Sequence, residues 1–195
     1  MTLDKRGAIL QAALQLFAER GLYDAPVSLI AKQSGASAGT IYHYFADKDD
    51  LIHAVYMAVK HDYKQAVAEG VTSDLPHNEA FRRAWLNAYR FYISHEIEAR
   101  FLEHYENSPY FHPGVPDEVL RRAESAEAES VPVLFRLLLN RNGQRQPKDF
   151  PFDVLYALTF GVAIHIAKNQ RAGLKRLDDT QLEAIANLCY EMVMK

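Results

Sequence analysis

The run Gly35-Ala36-Ser37-Ala38-Gly39-Thr40-Ile41-Tyr42-His43-Tyr44-Phe45 constrains what this chain can fold into more than any other feature. Gly35 can adopt the left-handed conformation that closes one helix, and Ser37 is a favoured cap for the next. A helix from Ser37 onward places Ile41 and Phe45 on one face and turns Ala38, Gly39, Tyr42 and His43 elsewhere. One face packs, and the other is left for a partner. Gly39 keeps side-chain bulk out of the first turn, where unpaired N–H groups and the helix dipole favour a phosphate. Thr40, Tyr42 and His43 add hydrogen-bonding groups beside it. Two helices joined by such a turn form a helix-turn-helix, whose second helix can enter the major groove of DNA.

The flanking segments complete the same unit. Ile9, Ala12, Ala13, Leu16 and Phe17 recur at the spacing of an amphipathic helix, the expected hub of a small core. Gly21 is expected to stop that helix. Pro26 is expected to open the next at its first position, with Val27, Ile30 and Ala31 buried and Ser28 projecting outward. Asp47 or its neighbours can start a fourth helix, with Lys48 in its first turn and Leu51, Ala54, Val55, Ala58 and Val59 in helical period.

Taken together, Ala12-Ala13 with Leu16-Phe17, Gly21, Val27 with Ile30-Ala31, Gly35-Ala36-Ser37, Gly39-Thr40-Ile41-Tyr42, Phe45, and Lys48 with Leu51 resemble the N-terminal DNA-binding domain of the TetR family of bacterial transcriptional regulators. The resemblance covers residues 5–60, roughly the first third of the chain. It implies an all-α fold, with a helix-turn-helix domain over 1–50 and a helical effector-binding and dimerisation domain over 51–195. It also implies that Ser28, Ala38, Gly39, Tyr42 and His43 face bases or phosphates, while Ser37, Thr40 and Lys48 anchor the DNA backbone. Two positions depart from the family pattern. Pro26 stands where Ser or Thr usually caps the second helix, and Ala38 replaces a larger polar or basic residue, leaving only an apolar contact such as one to a thymine methyl. Base readout is then sparse, and DNA shape carries more of the specificity.

Charge supports local rather than global attraction. Residues 1–60 hold six Lys or Arg and six Asp or Glu, and the chain as a whole carries −3. Binding therefore relies on placed groups such as Lys5, Arg6 and Lys48, with modest non-specific affinity and clear salt sensitivity. No apolar run is long enough to span a bilayer, and the Met1-Thr2-Leu3-Asp4-Lys5-Arg6 start is unlike a secretory signal, so a cytoplasmic location is expected. The single cysteine, Cys189, excludes an internal disulfide and reads as a small buried hydrophobe.

Beyond about residue 75 the helical pattern becomes rich in Tyr, Phe and His. Asn78 is expected to cap a helix carrying Phe81, Ala84, Trp85, Ala88, Tyr92 and His95. A second segment carries Ile97, Phe101, His104 and Tyr105, and stops near Ser108-Pro109. Pro113, Gly114 and Pro116 mark a loop before a long helical pattern reaching Asn142-Gly143, kinked or split at Pro132. The family resemblance places an effector cavity among these segments. The residues expected to meet a small-molecule effector are Trp85, Tyr89, Tyr92, His95, Phe101, His104, Tyr105 and Phe135, with His95 and His104 as polar anchors.

Pro151 is expected to start a helix running to Gly173, and Asp179 or Thr180 one that runs to the end. The last carries Leu182, Ile185, Ala186, Cys189, Met192 and Val193 on one stripe, and the helix before it offers Leu155, Tyr156, Val162, Ala163 and Ile166. The resemblance implies that these two helices pair with their symmetry mates in a homodimer. Two recognition helices ~34–36 Å apart would then read a palindromic operator in double-stranded DNA, and effector binding would move the helix leading out of the DNA-binding domain. Repression is the default sign for the family.

Other function classes have less support. A helical ligand-binding or protein-interaction module of the same fold without operator binding is the alternative, favoured by Ala38 and the neutral head. An enzyme is the weakest reading, because no Ser-His-Asp, Cys-His or paired-carboxylate arrangement follows from the spacing. No metal site is expected, since the eight histidines form no His-x-x-x-His pair, and no cofactor, since no phosphate-binding glycine loop follows a strand pattern.

Overall fold

The computed structural model of the chain describes residues 4–111, 132–139 and 146–195. Regular structure among these residues is entirely α-helical: α1 (Lys5–Arg20), α2 (Val27–Ser34), α3 (Ala38–Tyr44), α4 (Lys48–Ala68), α5 (His77–Ser94), α6 (Glu96–Glu106), α7 (Val133–Leu139), α8 (Phe152–Ala157), α9 (Phe160–Arg171) and α10 (Asp179–Val193). They fall into two compact units, one of Met1–Asp62 with His95–His112, the other of Tyr63–Ser94 with Pro113–Lys195.

In the first unit, the α1 N-terminus is held by Asp4, whose carboxylate accepts from the Gly7 N–H at 3.0 Å. At the other end Gly21, with φ 85°, donates back to the Phe17 carbonyl. The inward stripe is the one its period predicts: Ile9, Ala12, Ala13, Leu16 and Phe17 are all buried. Onto it pack α2, α3 and α6. The α6 contact centres on Phe101, fully buried with its ring 6.2 Å from that of Phe17. α4 contributes its early turns here through Leu51, Ile52, Val55 and Val59, all buried. Its start is held by Asp47, which accepts from the Asp50 N–H at 2.8 Å, while the Asp50 carboxylate accepts from the Ala46 N–H at 2.9 Å.

The second unit is built around α5, which packs against α7, α9 and α10. The Phe81 ring lies 5.4 Å from Phe160 and 5.3 Å from Tyr190. Trp85 donates its indole N–H to the Thr159 carbonyl at 3.0 Å, and Tyr89 donates its hydroxyl to Gln170 at 2.5 Å, so both buried polar tips are satisfied. At the end of α4, the buried Tyr63 meets Phe91 and Tyr92 edge-on, at 5.2 and 5.8 Å.

Three boundaries differ from those expected. Pro26 is the cap of α2, not its first residue: its ψ of 147° is extended, and its carbonyl accepts from Leu29 and Ile30. The ring fixes φ but leaves ψ free to point that carbonyl into the helix. α5 begins at His77, with the Pro76 carbonyl accepting from Glu79 and Ala80, so Asn78 lies inside the first turn instead of capping it. The helix expected from Pro151 to Gly173 is two helices, α8 and α9. It breaks at Thr159, whose φ of −122° and ψ of −88° are not helical, whose hydroxyl donates to the Leu155 carbonyl at 2.6 Å and whose carbonyl is taken by Trp85. α7 begins immediately after Pro132, and the pattern expected before it lies outside the described residues. The loop at Pro113, Gly114 and Pro116 and the end at Asn142-Gly143 lie outside the described residues.

Replacing Phe101 with Ala is expected to lower the unfolding free energy by about 3–5 kcal/mol, since a fully buried ring facing Phe17 is removed. Urea denaturation followed by circular dichroism measures this. A loss below about 1 kcal/mol would show that α6 does not depend on that contact.

Candidate nucleic-acid interface

The turn between α2 and α3 is made by backbone chemistry. Gly35 adopts φ 70° and ψ 15°, the left-handed conformation that closes α2, and its N–H bonds the Ala31 carbonyl. Two residues later the Ser37 hydroxyl accepts from the Thr40 N–H at 3.0 Å and lies 2.8 Å from the Thr40 hydroxyl. α3 then divides as its period requires. Ile41 and Phe45 are buried, whereas Ala38, Gly39, Tyr42, His43 and Tyr44 are exposed, Tyr42 by 52%. Thr40 is half-buried, and Ser28 on α2 is exposed.

Gly39 has no internal reason to be glycine. A Cβ built there would meet only the Ser37 hydroxyl, at an ordinary 3.8 Å, so among the described residues no atom excludes a side chain. Phe45 anchors the end of α3, and the Arg6 guanidinium lies over its ring at 5.4 Å, tying the first turn of α1 to the recognition helix. His43 and Tyr44 sit edge to face at 5.4 Å.

Lys48, at the start of α4, is partly engaged within the chain. Its ammonium donates to the Tyr23 carbonyl in the α1–α2 loop at 3.0 Å. Burial pushes its pKa down, and the nearby Asp24 and Asp49 oppose that shift. An ammonium carries three donors, so this bond fixes the side chain without exhausting it.

Residues after α6 add a feature that helical periodicity did not single out. The Tyr110 hydroxyl donates to Asp49 in the first turn of α4 at 2.7 Å, and its ring stacks on Tyr23 at 6.3 Å. The Tyr105 hydroxyl in turn donates to the Tyr110 carbonyl at 3.2 Å. The bond to Asp49, with some burial and the charge of the carboxylate, raises the Tyr110 phenol to about 12.

The eight residues expected to meet an effector divide between the units. Trp85, Tyr89 and Tyr92 are buried in the core around α5, and Phe135 on α7 stacks on Phe152 at 4.7 Å. In the recognition unit Phe101 is core, His95 is exposed at the head of α6, and the exposed His104 borders a cavity of about 210 Å³ beside Arg20 and Asn107. Tyr105 lines a larger cavity of about 380 Å³ with Asp49, Ile52, His53 and Tyr56 from α4 and Pro109, Tyr110 and Phe111 after α6. Tyr56 and Tyr105 stack there at 4.0 Å, nearly parallel. Among the described residues no cluster of three His, Cys, Asp or Glu could hold a metal ion, and no helix is long and apolar enough to cross a membrane.

A helix-turn-helix with an exposed recognition face, in a chain otherwise built of packed helices, defines a class of helical proteins carrying a nucleic-acid-binding head. Comparison with known proteins makes the assignment specific. The family model for bacterial regulatory proteins of the tetR family matches residues 9–55, and that for the tetracyclin repressor-like C-terminal domain matches residues 76–194. The chain belongs to the TetR family. A TetR family protein from Vibrio parahaemolyticus shares 30% identity and superposes with a TM-score of 0.77, over 98% of this chain and 99% of that one. A TetR family transcription regulator from Marinobacter aquaeolei has 25% identity and a TM-score of 0.77, over 98% and 96%. Among curated relatives, the uncharacterized HTH-type transcriptional regulator YhgD of Bacillus subtilis is 27% identical over 103 residues. That match covers 53% of this chain, which thus spans about half the length of that relative.

Because Asp49 holds the Tyr110 proton, the folded phenol titrates above its ordinary value of 10.0. The stabilisation from this bond is therefore complete below pH 10 and is lost as pH rises towards about 12. Ultraviolet titration of tyrosinate in the wild type and in Tyr110→Phe should differ by one group ionising near 12. A difference spectrum centred on 10 would disprove the bond to Asp49.

Proposed function

We propose that this chain is a one-component transcriptional regulator that binds a palindromic operator as a homodimer and is released by a small-molecule effector, repression being the sign. The observation that carries the reading is the division of α3, where Ile41 and Phe45 anchor the helix and Ala38, Gly39, Tyr42 and His43 stand free in solvent. A bare backbone at Gly39, with no internal requirement for glycine, fits close approach of a phosphate or base edge. Ser28, Ala38, Gly39, Tyr42 and His43 are assigned to bases and nearby phosphates, and Ser37, Thr40 and Lys48 to the DNA backbone. Lys48, pinned by the Tyr23 carbonyl, would offer a phosphate its remaining donors with little entropy left to lose.

Dimerisation through α9 and α10 is supported by apolar surface beside their buried stripes. Leu188 is 69% exposed and Met192 41% exposed, and both lie near the half-buried Ile185 on the helical surface of α10. On α9, Val162 and Ile166 are half-buried. A symmetric pairing of the two helices would cover this surface and set two recognition helices ~34–36 Å apart. Of the residues expected to meet an effector, Tyr105, a wall of the 380 Å³ cavity, is assigned as the leading contact.

The head is formally neutral, with six basic and six acidic residues over 1–60, and this favours a second reading: a ligand-binding or interaction module that has lost its operator. Selection of bound duplexes from a random pool decides between them. Recovery of a palindrome supports the regulator, and no enrichment by folded, dimeric protein supports the module.

With the selected operator, Tyr42→Phe is expected to weaken binding by about 1–3 kcal/mol if the hydroxyl reads a base. Lys48→Ala should weaken binding across sequences and reduce the salt slope by about one. Titrations by fluorescence anisotropy at several salt concentrations test both. Unchanged affinity in both variants would overturn the site assignment.

A further inference from the structure

The 380 Å³ cavity of the recognition unit has a chemical character of its own. Its walls are mostly aromatic, with Tyr56 and Tyr105 stacked at 4.0 Å on one side and Tyr110 and Phe111 contributed by the chain after α6. Among the described residues no lysine, arginine, asparagine or glutamine lines it; His53 supplies an imidazole, and Asp49 is the one carboxylate. The lining tyrosines keep their protons, Tyr56 chiefly through burial with the Glu106 carboxylate nearby, and Tyr110 chiefly through its hydrogen bond to Asp49, with burial and the Asp49 and Asp47 charges adding to it. A site with negative potential and ring walls repels anions and attracts cations, because the ring quadrupole presents its negative face to a positive charge. The volume lies at the small end of the ~300–1,000 Å³ typical of ligand pockets, so the occupant is compact.

We infer that this cavity binds a small organic cation, an ammonium bearing an aromatic or compact apolar group, with Asp49 as counter-ion and Tyr56, Tyr105, Tyr110 and Phe111 as its aromatic walls. The site is distinct from the core around α5, where Trp85 and Tyr89 spend their polar atoms on Thr159 and Gln170.

Occupancy reaches the recognition helix through bonds within the same unit. Asp49 accepts the Tyr110 hydroxyl at 2.7 Å, and a cation beside that carboxylate competes for it. Tyr110 also stacks on Tyr23, whose carbonyl holds Lys48, and Lys48 begins α4 just after α3 ends at Tyr44. Loosening this latch alters both the first turn of α4 and the anchoring of Lys48, and operator affinity falls. This half of the inference rests on the operator-binding reading proposed above.

The test is calorimetric titration of the full chain with benzyltrimethylammonium, with uncharged N,N-dimethylbenzamide and with anionic phenylacetate, three probes of similar size and different charge. Benzyltrimethylammonium is expected to bind and the other two to fail. Asp49→Asn removes the charge but keeps an oxygen for the Tyr110 hydroxyl, and should cost at least about tenfold in affinity. Phe111→Ala, at an exposed position, should also weaken binding while leaving the melting temperature near that of the wild type. Equal binding of the uncharged probe, cation binding unchanged in Asp49→Asn, or no cation binding by folded wild-type protein at millimolar concentration overturns the site. Added to the operator complex, the cation should reduce DNA affinity by roughly 5- to 150-fold. Cation binding with no effect on DNA affinity overturns the coupling. Asp49-dependent cation binding by a chain that selects no operator supports the site and defeats the regulator reading instead.

Discussion

The contact between Phe17 and Phe101 is the interaction on which the recognition unit depends. α1 is the common floor of this unit, and its buried stripe receives α2 and α3 as well as α6. Ala12 and Ala13 keep that stripe low enough for helices to approach closely, and Phe17 fills the space against Phe101. The consequence is mechanical. A helix far along the chain shares a core with the helix-turn-helix, so its position and that of α3 are fixed against the same apolar surface. Interiors packed this tightly transmit displacement instead of absorbing it.

A polar contact completes what that apolar contact begins. Tyr110, just beyond α6, reaches Asp49 at the start of α4 and stacks on Tyr23 in the α1–α2 loop. The Phe17–Phe101 pair holds the body of α6 and Tyr110 holds the segment after it, so the two ends of the attachment differ in kind. Hydrophobic burial is non-directional and tolerates small shifts. A 2.7 Å hydrogen bond to a carboxylate is directional and is lost within about an ångström, which makes the Tyr110 end the part of the attachment that can switch.

How far these features were legible in the chain follows from their range. The α1 stripe, the Gly35 turn, the Ser37 cap and the burial of Ile41 and Phe45 are local: each depends on residues a few positions apart, and each stands where its spacing placed it. The helical fold class and the family were legible for the same reason. The break at Thr159 was not, because the Trp85 indole that binds its carbonyl reaches in from α5, far along the chain. Pro26 misled in a smaller way, since proline at a helix start can serve as cap or as first residue, and only ψ decides. The aromatic residues of α5 and α6 share a helical period, and period cannot tell a core ring such as Trp85 from a cavity wall such as Tyr105. Asp49, Tyr56 and Tyr110 escaped notice because their roles are set by pairing between α4 and the end of α6, a relation with no local signature.

The neutral head gives this arrangement its leverage. With six basic and six acidic residues over 1–60, the unit cannot hold DNA by a general field, and on the proposed reading its affinity rests on a few placed donors. Lys48 is one of the donors proposed to meet DNA, and its placement comes from the Tyr23 carbonyl, in the same loop that Tyr110 stacks upon. A strongly basic head would keep much of its affinity if one donor drifted. On the proposed operator-binding reading one donor is a larger share of the whole, so a differential free energy of about 1–3 kcal/mol between two states of the latch would be enough to move the protein between bound and released. On that reading a latch as slight as a single tyrosine suffices: the larger the share of binding that each donor carries, the smaller the displacement needed to cancel it.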